Sequence, residues 1–125
     1  MEFKIDTKDT YTVITPLIST IDAKLTDAIY EKCDISGQIG SSNYIIDLRQ
    51  CQEIADDAFK GLKKLHEYCY NNSRSLVFTG INAVLLKTLK ENGTDKLINI
   101  ALTMLEAIDI ISMEILERDL YNEES

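Results

Sequence analysis

The sequence predicts an α/β domain built on a mixed β-sheet, with an N-terminal antiparallel hairpin, then parallel strands, and about four helices. Three observations predict it. Two β-rich segments near the start are joined by only a few residues, which forces antiparallel pairing. Later strand-length apolar runs alternate with segments of helical periodicity, the pattern of parallel strands with right-handed crossovers. The 125 residues carry 45% hydrophobic and 27% charged side chains, enough for one core without staples. Residues 1–121 read as a single domain and residues 122–125 as a polar C-terminal tail.

Residues 3–7 alternate apolar and polar, the signature of a half-buried strand. Lys8-Asp9 reads as a turn, and residues 10–15 are almost all β-branched or aromatic. Pro16 falls near the end of that strand, where a missing N–H is tolerated. Thr20-Ile21-Asp22 then opens a helix. Asp22 serves as its cap, and Ile21, Leu25, Ile29 and Cys33 recur every four residues along one face. Turn formers from Ser36 to Ser42 end that helix. Gly37 and Gly40 make no phosphate loop, because the strand follows them and no Lys-Ser/Thr pair closes the motif.

The central stretch runs from Asn43 to Cys69. Tyr44-Ile45-Ile46-Asp47-Leu48 is a covered strand, and Arg49 to Glu53 a polar loop. Ile54 to Phe59 tips into a helix through Cys69, with Phe59, Leu62, Leu65, His66 and Cys69 inward and Lys60, Lys63, Lys64 and Glu67 outward. Residues 75–79 form the next strand. Gly80 turns the chain into a helix bearing Ile81, Val84, Leu85 and Leu89, which Asn92-Gly93 stops. Lys96 to Ile100 reads as a short strand. A helix from Thr103 to about Leu120 packs through Leu102, Leu105, Ile108, Ile111, Ile115 and Leu116. Met104, Ile110 and Met113 add apolar surface beyond that stripe; packing against the sheet accounts for most of it, and a homodimer or partner contact through Met104, Ile110 or Met113 is the alternative.

A net charge of −8 opposes nucleic acid and anionic membranes, and the 13 basic residues are scattered. No apolar run has spanning length or the form of a signal peptide, so a cytoplasmic protein is expected. Three cysteines without a CxxC spacing read as reduced and buried. No residues have metal-ligand spacing, and no cofactor motif is present. His66, the one histidine, reads as a partly buried, hydrogen-bonded imidazole. A His66–Cys69 dyad on one helix face has little to support it, and no enzyme is expected. Asp56 and Asp57 suit a helix N-cap and first turn, where carboxylates meet orphan N–H groups and the helix dipole.

The order of elements, with three landmarks, resembles the STAS domain, the fold of bacterial anti-sigma factor antagonists. Ser19-Thr20-Ile21-Asp22 is similar to the family's turn after the second strand. Ile45-Ile46-Asp47-Leu48 is similar to its third strand. Ala55-Asp56-Asp57-Ala58-Phe59 stands where the family has roughly Asp-Ser-Ser-Gly-Leu. The final Asn99-Ile100 segment leading to Glu106-Ala107 also looks like the family's ending.

The resemblance implies non-enzymatic signal transduction: binding to a serine-kinase anti-sigma factor, which phosphorylates the antagonist and releases it. Here the family's phosphorylated serine falls on Asp56. A carboxylate carries a single charge in place of the roughly 1.5 to 2 of phosphoserine, a partial and permanent imitation. The implied binding and switch residues are Asp22, Asp56, Asp57 and Lys60. The alternative is a STAS-like scaffold or small-ligand-binding subunit of a larger signalling assembly. Asp47 at a strand end also invites comparison with a response-regulator receiver. The acidic pair and late lysine that receiver chemistry needs are missing, and the opening hairpin is wrong for that fold.

Overall fold

The computed structural model describes residues 1–39 and 42–124, with side chains outside 35–41 and 123–125. Four strands form the main sheet in the order β1-β2-β4-β6: β1 (Phe3–Thr7), β2 (Thr12–Pro16), β4 (Tyr44–Asp47) and β6 (Leu76–Thr79). β1 and β2 are antiparallel, with Ile5 opposite Ile14. β2–β4 and β4–β6 are parallel, with Ile14 beside Ile46 and Ile46 beside Phe78. The mixed sheet is therefore as the sequence predicts. Between its strands lie α1 (Ala23–Ile39) and α2 (Ala58–Asn71), and α3 (Ala83–Asn92) and α4 (Met104–Glu124) follow β6.

Period-two alternation along the central strands divides the core. Tyr44, Ile46, Leu76 and Phe78 face α1, α2 and α3, where Leu25, Ile29, Leu62, Leu65, Leu85 and Leu89 close over them. Ile45 and Val77 point to the opposite side and meet Ala107 and Ile111 of α4. Each large side chain buried this fully contributes about 1.5–3 kcal/mol relative to exposure. Asn43, just before β4, pins α4 across the sheet. Its Oδ1 accepts from the Ser75 backbone N–H at 3.0 Å and from Arg118 Nη2 at 2.8 Å.

Five local readings are corrected. Thr20-Ile21 does not open α1; it forms a two-residue strand, β3, paired in parallel with β5 (Glu53–Ile54) as a separate small sheet. α1 runs through Ser36 and Gly37 to Ile39, since one glycine weakens a helix without ending it; Gly40 and Ser41 lie outside the described residues. Residues 96–100 are no strand. A 3₁₀ turn occupies Thr94–Lys96, and only Ile100 bridges to Phe78. The segment expected as a polar tail continues α4 to Glu124, with Ser125 outside the described residues.

The fifth correction concerns the phase of α4. Leu102, Leu105 and Leu116, expected in the core, are 74%, 75% and 59% exposed, while Ala107 and Ile111 are buried. Met104 and Ile110 pack against the sheet; Met113, at 61%, is exposed. A helix apolar on most of its circumference leaves its inward face undetermined by sequence.

Cys33, Cys51 and Cys69 are free and buried. A hydrogen bond with Cys69, and then burial, hold the Cys33 thiol well above its usual range. Burial, reinforced by the Asp47 charge, pushes Cys51 up to about 11. The same hydrogen bond lowers the Cys69 thiol, which burial alone shields. The thiolate is the reactive form, so Cys33 and Cys51 are expected to resist a disulfide reagent in the native protein through both burial and raised pKa, Cys69 through burial, and all three to react on unfolding. A thiol titration with and without denaturant reads this directly; a cysteine that reacts at the free-thiol rate in the native protein contradicts it.

Candidate functional site

The parallel strands β2, β4 and β6 all run toward the same end, and their carboxyl ends feed loops that lead into α1, α2 and α3. Open α/β sheets bind ligands and partners at this end. The small β3–β5 sheet shapes it. Thr20 pairs with Glu53 and Ile21 with Ile54, and the Ala55 N–H donates to the Ile21 carbonyl at 2.8 Å. The turn at Asp22 is thereby held against the loop at Asp56-Asp57, so the amino ends of α1 and α2 lie side by side.

The carboxylates there are not equivalent. Asp22 caps α1, accepting from the Leu25 N–H at 2.9 Å, as expected. Asp57 does not cap its own helix: it occupies the N-cap position of α2 but makes no side-chain cap bond there. Its Oδ1 accepts from the Ala23 N–H at 3.1 Å, so it serves an orphan donor of the neighbouring helix. The reason is its backbone. Asp57 has φ −74° and ψ −7°, in the helical region, whereas a capping residue needs extended dihedrals. Asp56 is exposed, and among the described residues its carboxylate has no hydrogen bond or ion pair. Lys60 is exposed on the same end of α2, with Lys63 and Lys64 beyond it and Lys63 paired with Glu67 at 3.8 Å. Of these four side chains, Asp22 and Asp57 are bonded to the amino end of α1, and Asp56 and Lys60 are exposed at the amino end of α2.

Asp47 is a different case. It is 2% exposed at the end of β4, and Arg49 binds it through Nε at 2.7 Å, through a second guanidinium nitrogen, and through its backbone N–H at 3.2 Å. The carboxylate that invited the receiver comparison is locked into a turn.

His66 is half-buried, with its ring 4.5 Å from that of Tyr70. Its Nδ1 is buried without a hydrogen-bond partner among the described residues, contrary to the expected hydrogen-bonded imidazole. Burial lowers its pKa. Cys69 bonds with Cys33 rather than with His66. Among the described residues no group of three or more His, Cys, Asp or Glu is placed to hold a metal ion. No helix among them is long and apolar enough to cross a membrane.

Sequence reasoning missed two features of this region. One is the β3–β5 pairing, because two-residue strands carry no periodic signal. The other is Gly61, which lets α2 approach Thr26 of α1: a Cβ at Gly61 would lie 2.0 Å from Thr26 Oγ1. A glycine inside a strong helical pattern was its available signal.

An antiparallel hairpin opening a parallel sheet, with two helix mouths joined beside β4, is the STAS fold, shared by bacterial anti-sigma factor antagonists. A serine-to-glutamate variant of Moorella thermoacetica RsbS superposes with a TM-score of 0.72 at 19% identity, covering 94% of this chain and 99% of that one. An anti-sigma factor antagonist from Mycobacterium paratuberculosis gives 0.70 at 15% identity, covering 89% and 93%. A sulfate transporter family protein from Wolinella succinogenes gives 0.71 at 13%, covering 84% and 87%. No protein-family model and no curated protein sequence matches the chain.

Proposed function

We propose that this chain is a non-enzymatic, cytoplasmic protein-interaction domain that acts as an anti-sigma factor antagonist-like regulator of a serine-kinase anti-sigma factor. The observation that carries this reading is the joined mouth of α1 and α2. There Asp22 and Asp57 satisfy the Leu25 and Ala23 N–H groups, and Asp56 projects free beside them. Asp22, Asp56, Asp57 and Lys60 form the binding surface, and Asp56 stands in the place of the switch serine. A fixed carboxylate there gives the domain a weakened, phosphorylation-independent affinity for a kinase that prefers an uncharged hydroxyl.

The test uses wild-type and Asp56→Ser chains as baits in lysate of the source organism, followed by binding and phosphate-transfer measurements on the retained kinase. The Asp56→Ser bait is expected to hold a serine-kinase-like partner roughly tenfold more tightly and to accept phosphate. Equal retention with no phosphate transfer sinks the switch. If neither bait holds such a partner, the regulator reading fails.

A second reading, a scaffold subunit of a larger signalling assembly, is favoured by one observation. The outer face of α4 presents Leu105, Met113, Leu116 and Leu120, all at least 49% exposed. On this reading the last helix forms the contact, with a partner or as a homodimer.

A further inference from the structure

β1 is an edge strand, and among the described residues no strand pairs with its outer side. The phase of its ladder is fixed at both ends. The Lys8 N–H donates to the Tyr11 carbonyl at 2.8 Å, and the Leu17 N–H donates to the Glu2 carbonyl at 2.9 Å. Between them Lys4 lies opposite Thr15 and Asp6 opposite Val13. Backbone groups alternate in direction along an antiparallel strand. Glu2, Lys4, Asp6 and Lys8 therefore turn their N–H and C=O groups toward β2. Phe3, Ile5 and Thr7 turn theirs outward, unpaired. An open edge of this kind is a template for another strand.

We propose that the strand this edge takes is β1 of a second copy of the chain, antiparallel about a twofold axis at Ile5. In that register Ile5 meets the partner's Ile5, and Phe3 meets the partner's Thr7. These are the residues whose backbone groups are free, so each pair exchanges both hydrogen bonds. Lys4 meets the partner's Asp6, and Glu2 meets the partner's Lys8. They form the closer, non-hydrogen-bonded pairs, where cross-strand charges act most strongly.

The charges select this register against its neighbours. Sliding the strands by two residues one way places Lys4 against Lys4 and Glu2 against Asp6. Sliding them the other way places Asp6 against Asp6 and Lys4 against Lys8. Like charges directly opposite one another are destabilising. A slip by one residue would put charged side chains on the face where Phe3 and Ile5 lie. Lysines on an edge strand ordinarily block pairing; alternating with acids, they specify one partner strand.

The rest of the surface supports this occupant. The four charges of residues 2–8 cancel within a chain of net charge −8, so this is a neutral edge on an acidic protein. Ile5, 43% exposed, becomes covered, and the two four-stranded sheets become one. The outer face of α4 is less suited to a second copy. Glu106, Asp109, Glu117 and Asp119 are exposed along that helix, and its Arg118 is turned inward onto Ser75 and Asn43.

Sedimentation equilibrium of the full chain, with hydrogen exchange over a concentration series, tests the proposal independently of any kinase partner. Expected are a reversible monomer–dimer equilibrium and exchange at the Phe3, Ile5 and Thr7 amides that slows with concentration, while Lys4 and Asp6 amides stay unchanged. Lys4→Asp and Asp6→Lys are each expected to weaken the dimer roughly tenfold or more, and an equimolar mixture of the two to restore it. A chain monomeric at every concentration overturns the proposal. So does a dimer that survives both reversals, a mixture no tighter than the single variants, or a dimer that Leu116→Glu dissolves while Lys4→Asp does not.

Discussion

Gly61→Ala is expected to destabilise the protein by about 1–3 kcal/mol, the cost of overpacking a close-packed contact. The opposing effect is real: alanine is better than glycine inside a helix by up to about 1 kcal/mol. Geometry decides the sign. A Cβ at Gly61 would sit 2.0 Å from Thr26 Oγ1, 2.6 Å from Thr26 Cβ and 3.0 Å from Thr26 Cγ2. Thr26 cannot retreat. It is 2% exposed, its hydroxyl donates to the Ala23 carbonyl at 3.1 Å, and a β-branched side chain has few rotamers in a helix. The helices must separate instead, which loosens Leu25 and Leu62 and strains the Asp57–Ala23 bond at the helix mouths. Thermal and urea unfolding should show a melting temperature lower by roughly 4–10 °C. Adding Thr26→Ala removes Oγ1 and Cγ2, so the double variant should recover part of the loss, with a favourable coupling near 1 kcal/mol. A Gly61→Ala protein as stable as the parent would mean that the two helices are not in contact here.

The large elements were legible because each repeats a physical period. β1, β2, β4 and β6 alternate or run apolar, and α2 keeps Leu62, Leu65 and Cys69 at helical spacing. What escaped was what has no period. β3 and β5 are two residues each, and their pairing is a tertiary event that places Asp22 beside Asp57. The direction of α4 could be read but not its phase, since leucine and isoleucine occupy most of its circumference. Small Ala107 won the buried face while Leu105 was left outside. The run 96–100 has strand composition, but only Ile100 reaches β6, and the residues before it are taken up by a 3₁₀ turn. At the candidate site, the cap expected of Asp22 is present, and the bond of Asp57 differs from the expected one. Asp57 caps a helix, but the helix is α1, and only the third dimension shows that.

Gly80→Ala is expected to cost more, about 3–5 kcal/mol, because strain, collision and a displaced buried charge coincide. Gly80 has φ +75°, a left-handed conformation that costs an L-residue about 1–2 kcal/mol. A Cβ there would also lie 2.5 Å from Asp47 Oδ1 and 2.9 Å from the Arg49 backbone nitrogen. Neither atom is free to move. Arg49 clamps the Asp47 carboxylate, and the Leu48 N–H ties the same turn to the Thr79 carbonyl at 2.8 Å. Pushing Asp47 aside leaves a buried anion without its partner at the junction of β4 and β6. Two companion variants separate the causes. Gly80→Asn tolerates the left-handed backbone but keeps the Cβ, so it should recover only the strain. Asp47→Ser combined with Gly80→Ala removes the collision with the carboxylate, leaving the one with the Arg49 backbone, and should be more stable than Gly80→Ala alone. Asp56→Ser should leave the unfolding midpoint within about 0.5 kcal/mol of the parent, as expected for a surface side chain without a bond. The pair of results would divide the acidic residues at this end of the sheet by role, with Asp47 holding the turn and Asp56 left for recognition. A Gly80→Ala protein with unchanged stability would remove Asp47 from the first role. A large loss from Asp56→Ser would remove Asp56 from the second.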